Sequence, residues 1–267
     1  ATPNDPEYYR QWNMEAIYAP LAWGKKIDAR LAPVAVIDMG VDYNHPDLRA
    51  NMWKNPDEDY DHEGNPGNNN VDDDGNGYVD DYYGWDFHAA QQRDNNPMDN
   101  VENQFGGPRI GHGTHVAGIL AAVGDNSIGV TGAAWKAKIA AVRFLDGDGA
   151  GLYQDAIVAL DYVTNHPTLK VANCSWGTFL TWELVPPNNC VPNAVYGRPL
   201  ILAMGDAVER ANQKGKLLIC SAGNYGLDLH QPVTLYSPPC PPWPWYWYPP
   251  YLNLNFEHEN IITVSAT

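Results

Sequence analysis

Val34-Ala35-Val36-Ile37-Asp38-Met39-Gly40 is the stretch whose reading settles the fold class. Its apolar run is too short for a helix and lacks the alternation of a half-exposed strand. Such a run reads as a strand covered on both faces, as inside a parallel sheet. Asp38 follows directly, and a carboxylate at the carboxyl end of a parallel strand stands where α/β sheets bind their ligands. Working outward, this strand spans 32–37, and similar compact runs occur at 139–144, 171–175, 216–221 and 261–265. Between them, apolar residues three and four apart predict helices over 114–123, 153–164 and 200–214. The alternation gives an α/β fold, a parallel β-sheet flanked by helices. Asp38, Ser175 and Asn224 all fall at or just past predicted strand ends.

Three segments interrupt the alternation: an acidic loop region at 54–109, a Pro/Asn-rich loop at 178–199, and a Pro and aromatic insertion at 226–256. Core strands frame each of them, so residues 1–267 read as a single domain with loop insertions. No internal repeat is visible. Net charge is −16, from 16 basic and 32 acidic residues. That balance excludes a nucleic-acid surface, because phosphates repel it. No apolar run approaches the roughly 20 residues of a membrane-spanning helix, and no signal peptide is visible at the start.

Four cysteines are too few for a disulfide framework. Cys174 and Cys220 sit in apolar runs and read as small buried thiols. Cys190 and Cys240 lie in Pro-rich loops, where a bridge between them is open and would be stable in an oxidising compartment.

Two motifs carry chemistry. Asp38-Met39-Gly40-Val41-Asp42 is followed by His45-Pro46-Asp47-Leu48, and later comes Gly111-His112-Gly113-Thr114-His115-Val116-Ala117-Gly118. With Ser221-Ala222-Gly223-Asn224, and Asn4-Asp5-Pro6 and Gln11-Trp12 near the start, this order resembles the subtilisin-like serine proteases over nearly the whole chain. The resemblance implies a three-layer αβα architecture and an Asp, then His, then Ser chain order. Asp38 would fix the tautomer of His112, and His112 would act as general base and then acid. Asn224 would donate to the oxyanion, a contact worth roughly 3–4 kcal/mol. His115, one turn beyond His112, reads as a packed or hydrogen-bonded histidine. One position departs from the family: Met39 stands where a serine or threonine is usual. A thioether cannot donate to the carboxylate, so Asp38 is expected to be less rigidly oriented.

The family's nucleophile motif, Gly-Thr-Ser-Met-Ala, does not occur among these residues. The serines are Ser127, Ser175, Ser221, Ser237 and Ser265, none in that context. The expectation is a domain incomplete at its C-terminal end, inert by itself, with a remainder of the same domain carrying the serine. The substrate would be a polypeptide held between two cleft edges by backbone hydrogen bonds. Gly149, Ala150 and Gly151 resemble one edge, and Ser175, Trp176 and Gly177 the other. Ser221, Ala222 and Gly223 would complete part of the first pocket.

Calcium is the expected cofactor, at two places. Asp72, Asp74 and Asn76 alternate before Gly77, with Tyr78 next, like the first half of an EF-hand loop. No acid stands at the twelfth place, so Asp81 would close the site; a solvated turn is the alternative. The resemblance implies a second site from Asp47, Asn126 and the carbonyls of Val123, Ile128 and Val130, with Asp125 competing for the side-chain role. The aromatic insertion, with Trp243, Trp245, Trp247 and Tyr251, cannot point all its rings into one core. Protein contact, carbohydrate contact and self-packing all remain open for it.

The expected function is therefore a secreted, calcium-stabilised serine endopeptidase. The rival is a non-catalytic subtilisin-like module that uses the aromatic insertion as its contact surface.

Overall fold

The computed structural model describes residues 1–58, 69–88, 93–99, 111–179, 182–185, 189–192, 194–224, 251–252 and 259–264. The chain divides into two units, Ala1–Asn173 and Cys174–Thr267. In the first, short helices α1 (Trp12–Ala16) and α2 (Ala19–Trp23) precede β1 (Val34–Asp38). There follow β2 (Gly84–Asp86), α3 (His112–Ala121), β3 (Ile139–Arg143), α4 (Tyr153–Asn165) and β4 (Val171–Cys174).

The parallel register puts Val34 opposite both Val171 and Ile139, and Asp38 opposite Arg143. On one sheet face Val36, Ile139 and Ala141 pack with Ala117 and Ala121 of α3 and with Leu48 and Met52. The alternate residues Ala35, Ile37, Ala140 and Val142 are fully buried as well, and α4 also lies against β1. Both faces are covered, which is why the strand sequences are unbroken apolar runs. Burying each Val or Ile side chain here contributes about 1.5–3 kcal/mol. A second apolar cluster ties the N-terminal helices down: Trp23 meets Trp135 at 5.0 Å between ring centroids, beside Met14 and Ala19.

Strand β2 corrects the reading of 54–109 as uninterrupted loop. Gly84, Trp85 and Asp86 pair in parallel with Ala141, Val142 and Arg143. Three residues with one apolar member carry no periodic signal, so the strand state comes from tertiary pairing. Gly84 is required there: its φ is 121°, and a Cβ would collide with the Ala141 carbonyl.

The second unit contains β5 (Thr178–Phe179), β6 (Trp182–Val185), β7 (Asn189–Pro192), α5 (Ala194–Gln213), β8 (Leu217–Ser221), β9 (Tyr251–Leu252) and β10 (Ile261–Val264). β8 and β10 are parallel, with Leu218 opposite Ile261. β6 and β7 form an antiparallel hairpin, and β5 pairs antiparallel with β9. The segment 178–199 is thus not the plain loop its composition suggests. Helix α5 opens at Ala194 instead of residue 200, because Pro199 forfeits one backbone donor without ending the helix. Met204, Ala207, Val208 and Ala211 form its buried stripe.

Cys174 and Cys220 are buried, as expected. Cys240 and the aromatic stretch from Trp243 lie outside the described residues, and of Tyr251 only the backbone strand is described. The proposed Cys190–Cys240 bridge is likewise outside them. No described helix is long and apolar enough to cross a membrane.

Candidate active site

Asp38 is the last residue of β1 and is fully buried. Its carbonyl accepts from Phe144 N at 3.0 Å and Leu145 N at 3.4 Å, which pins its backbone to the chain leaving β3. The carboxylate faces His112: Nδ1 lies 2.8 Å from Oδ1 and 3.0 Å from Oδ2. With Asp38 ionised, Nδ1 carries the proton and donates, leaving Nε2 as the basic nitrogen. The Met39 backbone N–H donates to Asp38 Oδ1 at 2.7 Å. The main chain thus supplies one donor to the carboxylate, while the Met39 thioether adds none.

His112 opens α3 behind Gly111, which adopts a left-handed φ of 68°. The hydrogen bond that Nδ1 donates to Asp38 raises the imidazole pKa above its ordinary value, against burial, with the Asp38 and Asp99 charges adding to it. Asp99 was missed in the sequence. It is buried, and its Oδ2 accepts from Thr114 Oγ1 at 2.6 Å and from Thr114 N at 3.3 Å. It thereby caps the first turn of α3 from a distant segment, where a negative charge is stabilising. Thr114 Oγ1 also accepts from Asp42 N at 2.9 Å, tying the two motifs together. His115 stands exposed on the helix rather than packed.

Gly113 is the contact that lets α3 approach β1. A Cβ there would collide with the Gly40 carbonyl and come within 3.2 Å of Asp38 Cβ and Oδ1. Gly113→Ala is expected to push the imidazole off its carboxylate. The loss should be about 10²-fold in kcat, with roughly 1–3 kcal/mol of destabilisation from overpacking. Turnover and melting of the full-length variant check this, and an unchanged kcat would show that the close approach is dispensable.

In the first unit the edge residues Gly149, Ala150 and Gly151 are exposed after β3. Asp146 holds that turn: its N donates to Ala150 O at 2.8 Å, and its Oδ1 accepts from Asp148 N and Ala150 N, each at 2.9 Å. In the second unit Ser175, Trp176 and Gly177 follow β4. Ser221 ends β8, Ala222 N donates to Val264 O at 2.8 Å, Gly223 has φ 90°, and Asn224 is exposed. The structure thus joins Asp38 to His112, while Asn224, the second edge and the pocket residues belong to the other unit.

Both candidate calcium sites are built from hard oxygen donors. Glu58, Asp72 and Asp74 bring carboxylate oxygens within 4.8 Å of one another. Glu58, absent from the sequence reading, is the carboxylate that joins this pair. Asp81 sits deeper: it accepts from Tyr162 Oη at 2.6 Å, Asn55 Nδ2 at 2.6 Å and Asn76 Nδ2 at 3.1 Å. Asn76 Oδ1 accepts from Tyr78 N at 2.7 Å, and the Tyr78 ring packs against Trp85, Phe87 and Tyr162. Burial, with the Asp81 and Asp74 charges adding, pushes the Glu58 carboxyl up to about 7, against the bonds from Asp74 N and Asp73 N. A divalent cation would relieve that crowding, so the donor set fits one.

At the second place Asp47 Oδ1 accepts from Asn126 Nδ2 at 2.8 Å and Oδ2 from Val130 N at 3.0 Å. Val123 N donates to Asp47 O at 2.9 Å, and Ile128 N to Asn126 Oδ1 at 2.8 Å. Asp125 Oδ1 instead accepts from Asn4 N at 3.2 Å, so Asn126 is the side chain beside Asp47. Coordination there would require turning the Asn126 amide over to present its oxygen.

The model described as the Subtilase family matches residues 32–267. The chain is 31% identical over 226 residues to thermitase of Thermoactinomyces vulgaris, covering 84% of this chain and 59% of that protein. It is 40% identical over 129 residues to subtilisin-like protease 1 of Plasmodium vivax, covering 48% of this chain and 18% of that one. Among solved structures, a protease from Pseudoalteromonas arctica superposes with a TM-score of 0.58 at 25% identity, covering 84% of this chain and 60% of its own. The chain spans less than two thirds of each of these relatives.

Proposed function

The chain belongs to the subtilase family, and on that premise we propose that it is the Asp- and His-bearing part of a serine endopeptidase. Its serine would come from residues beyond these 267. The observation that carries this reading is the contact of His112 Nδ1 with the buried Asp38 carboxylate at 2.8 Å, which leaves Nε2 free to take a hydroxyl proton. Asn224 is assigned to the oxyanion, and Gly149, Ala150 and Gly151, with Ser175, Trp176 and Gly177, to the edges that hold an extended polypeptide. β10 exposes Ile262 and Val264, apolar residues that a further element of the same domain would cover.

Calcium belongs to the proposal through Glu58, Asp72 and Asp74, with Asn76, Tyr78 and Asp81 around them, and through Asp47, Asn126 and the carbonyls of Val123, Ile128 and Val130. When bound, the ion would supply fixed positive charge and lock these loops. Secretion is supported by the likeness to an extracellular basic protease of Dichelobacter nodosus, 29% identical over 259 residues. A fluorophosphonate probe should label one serine of the full-length protein. Failure to label any polypeptide of the purified material would sink the endopeptidase reading and leave the non-catalytic module.

A further inference from the structure

The geometry points to Arg143 as a positioning residue for the peptide-binding edge, acting from inside the core without touching substrate. This rests on the assignment of Gly149, Ala150 and Gly151 to that edge. Arg143 ends β3 and is 2% exposed. Its Nη1 donates to Asp86 Oδ2 at 2.8 Å, and its Nε donates to the Leu145 carbonyl at 3.2 Å. Asp86 ends β2, directly opposite Arg143 in the parallel register, and is equally buried. Its other oxygen accepts from His88 N at 2.8 Å, which fixes the carboxylate plane.

Leu145 is therefore held at both ends of its residue. Its N–H reaches the carbonyl of Asp38 at 3.4 Å, and its own carbonyl is held by Arg143. The next residue, Asp146, organises the turn that carries the edge. One planar guanidinium thus ties the end of β2 to the first residues after β3 and sets where the edge emerges relative to Asp38.

Stability alone is a poor reason for this arrangement, because a buried ion pair often does no better than apolar packing of the same volume. A fork that holds two partners at a fixed angle is a geometric device, and a lysine does not reproduce it. Backbone pairing with an extended peptide depends on that placement. A small ester that engages only the catalytic groups does not.

The test uses the full-length protein and two substrates, an extended peptide amide and a single-residue ester. The variants are Arg143→Lys and the apolar pair Arg143→Met with Asp86→Leu, which removes both members of the ion pair together. The KM for the peptide amide should rise about tenfold in both, the size of one or two misaligned backbone hydrogen bonds, and by much more than any change in kcat/KM for the ester. Equal losses on both substrates would reduce Arg143 to a structural role, and an unchanged peptide KM would overturn the assignment outright. Wild-type protein inert on both substrates would instead fault the endopeptidase reading.

Discussion

His112→Ala in the full-length protein is expected to lower kcat by about 10⁶-fold, the cost of losing the triad base in this enzyme class. Without the imidazole, the attacking hydroxyl loses its general base. Asp38→Asn should cost about 10⁴-fold, because an amide can accept or donate at Nδ1 and so stabilises the wrong tautomer. Residual activity at the oxyanion site would survive in both. The pH profile is the companion measurement. His112 must be neutral to act as base, and its hydrogen bond to Asp38 raises its pKa above the ordinary 6.5. The acid limb of kcat/KM should therefore have its midpoint above 6.5 and move down in Asp38→Asn. A His112→Ala variant that keeps more than about a hundredth of wild-type turnover would show that this pair does not carry the chemistry.

Chelation is expected to lower the melting temperature by about 10 °C. A ligand at roughly a thousandfold excess over its Kd stabilises by about 4 kcal/mol, and each kcal/mol shifts a domain of this size by about 2–4 °C. Glu58→Gln should remove a large part of that calcium response, since it deletes a charge from the carboxylate trio. The Glu58 shift also sets a pH dependence. Its folded carboxyl lies near 7 and its ordinary value near 4.5, so the metal-free fold binds more protons than the unfolded chain in that window. Stability from this group is present below 4.5 and lost as pH rises through 7, and calcium should offset that loss. Differential scanning calorimetry with and without calcium measures all three effects. A melting temperature indifferent to chelator, or a Glu58→Gln variant with the full calcium response, would rule out this site.

The parts legible in the sequence are those whose signal is local. β1 and β3 were readable because double-sided burial writes itself as contiguous apolar residues, and β4, β8 and β10 were readable from compact apolar runs of the same kind. Helix α4 was readable from its spacing. Asp38 and His112 were readable from the two motifs that resemble the family's, and Gly113 within the second allows the close approach to the Gly40 carbonyl. β2 was illegible, since Gly84, Trp85 and Asp86 become a strand only by pairing with β3.

The site shows the same division. Asp99 has no motif spacing, because residues 100–110 separate it from the helix it caps. Glu58 lies outside the period of the loop it joins, and only chain return brings it beside Asp72 and Asp74. The sequence showed the Met39 side chain, and the structure adds a donor that no side chain announces, its backbone N–H to Asp38.

By itself, the sequence determined the parallel α/β class, all of its parallel strands but β2, and the Asp38 and His112 pair. Those follow from burial periodicity and from residue types that few other arrangements would use. Tertiary structure alone decided which carboxylate caps the helix, which joins the candidate calcium ligands, and that Arg143 reaches both Asp86 and Leu145. Apart from the local bond of Arg143 to Leu145, each is a contact between segments separated in the chain, and its geometry exists only once the fold has brought them together.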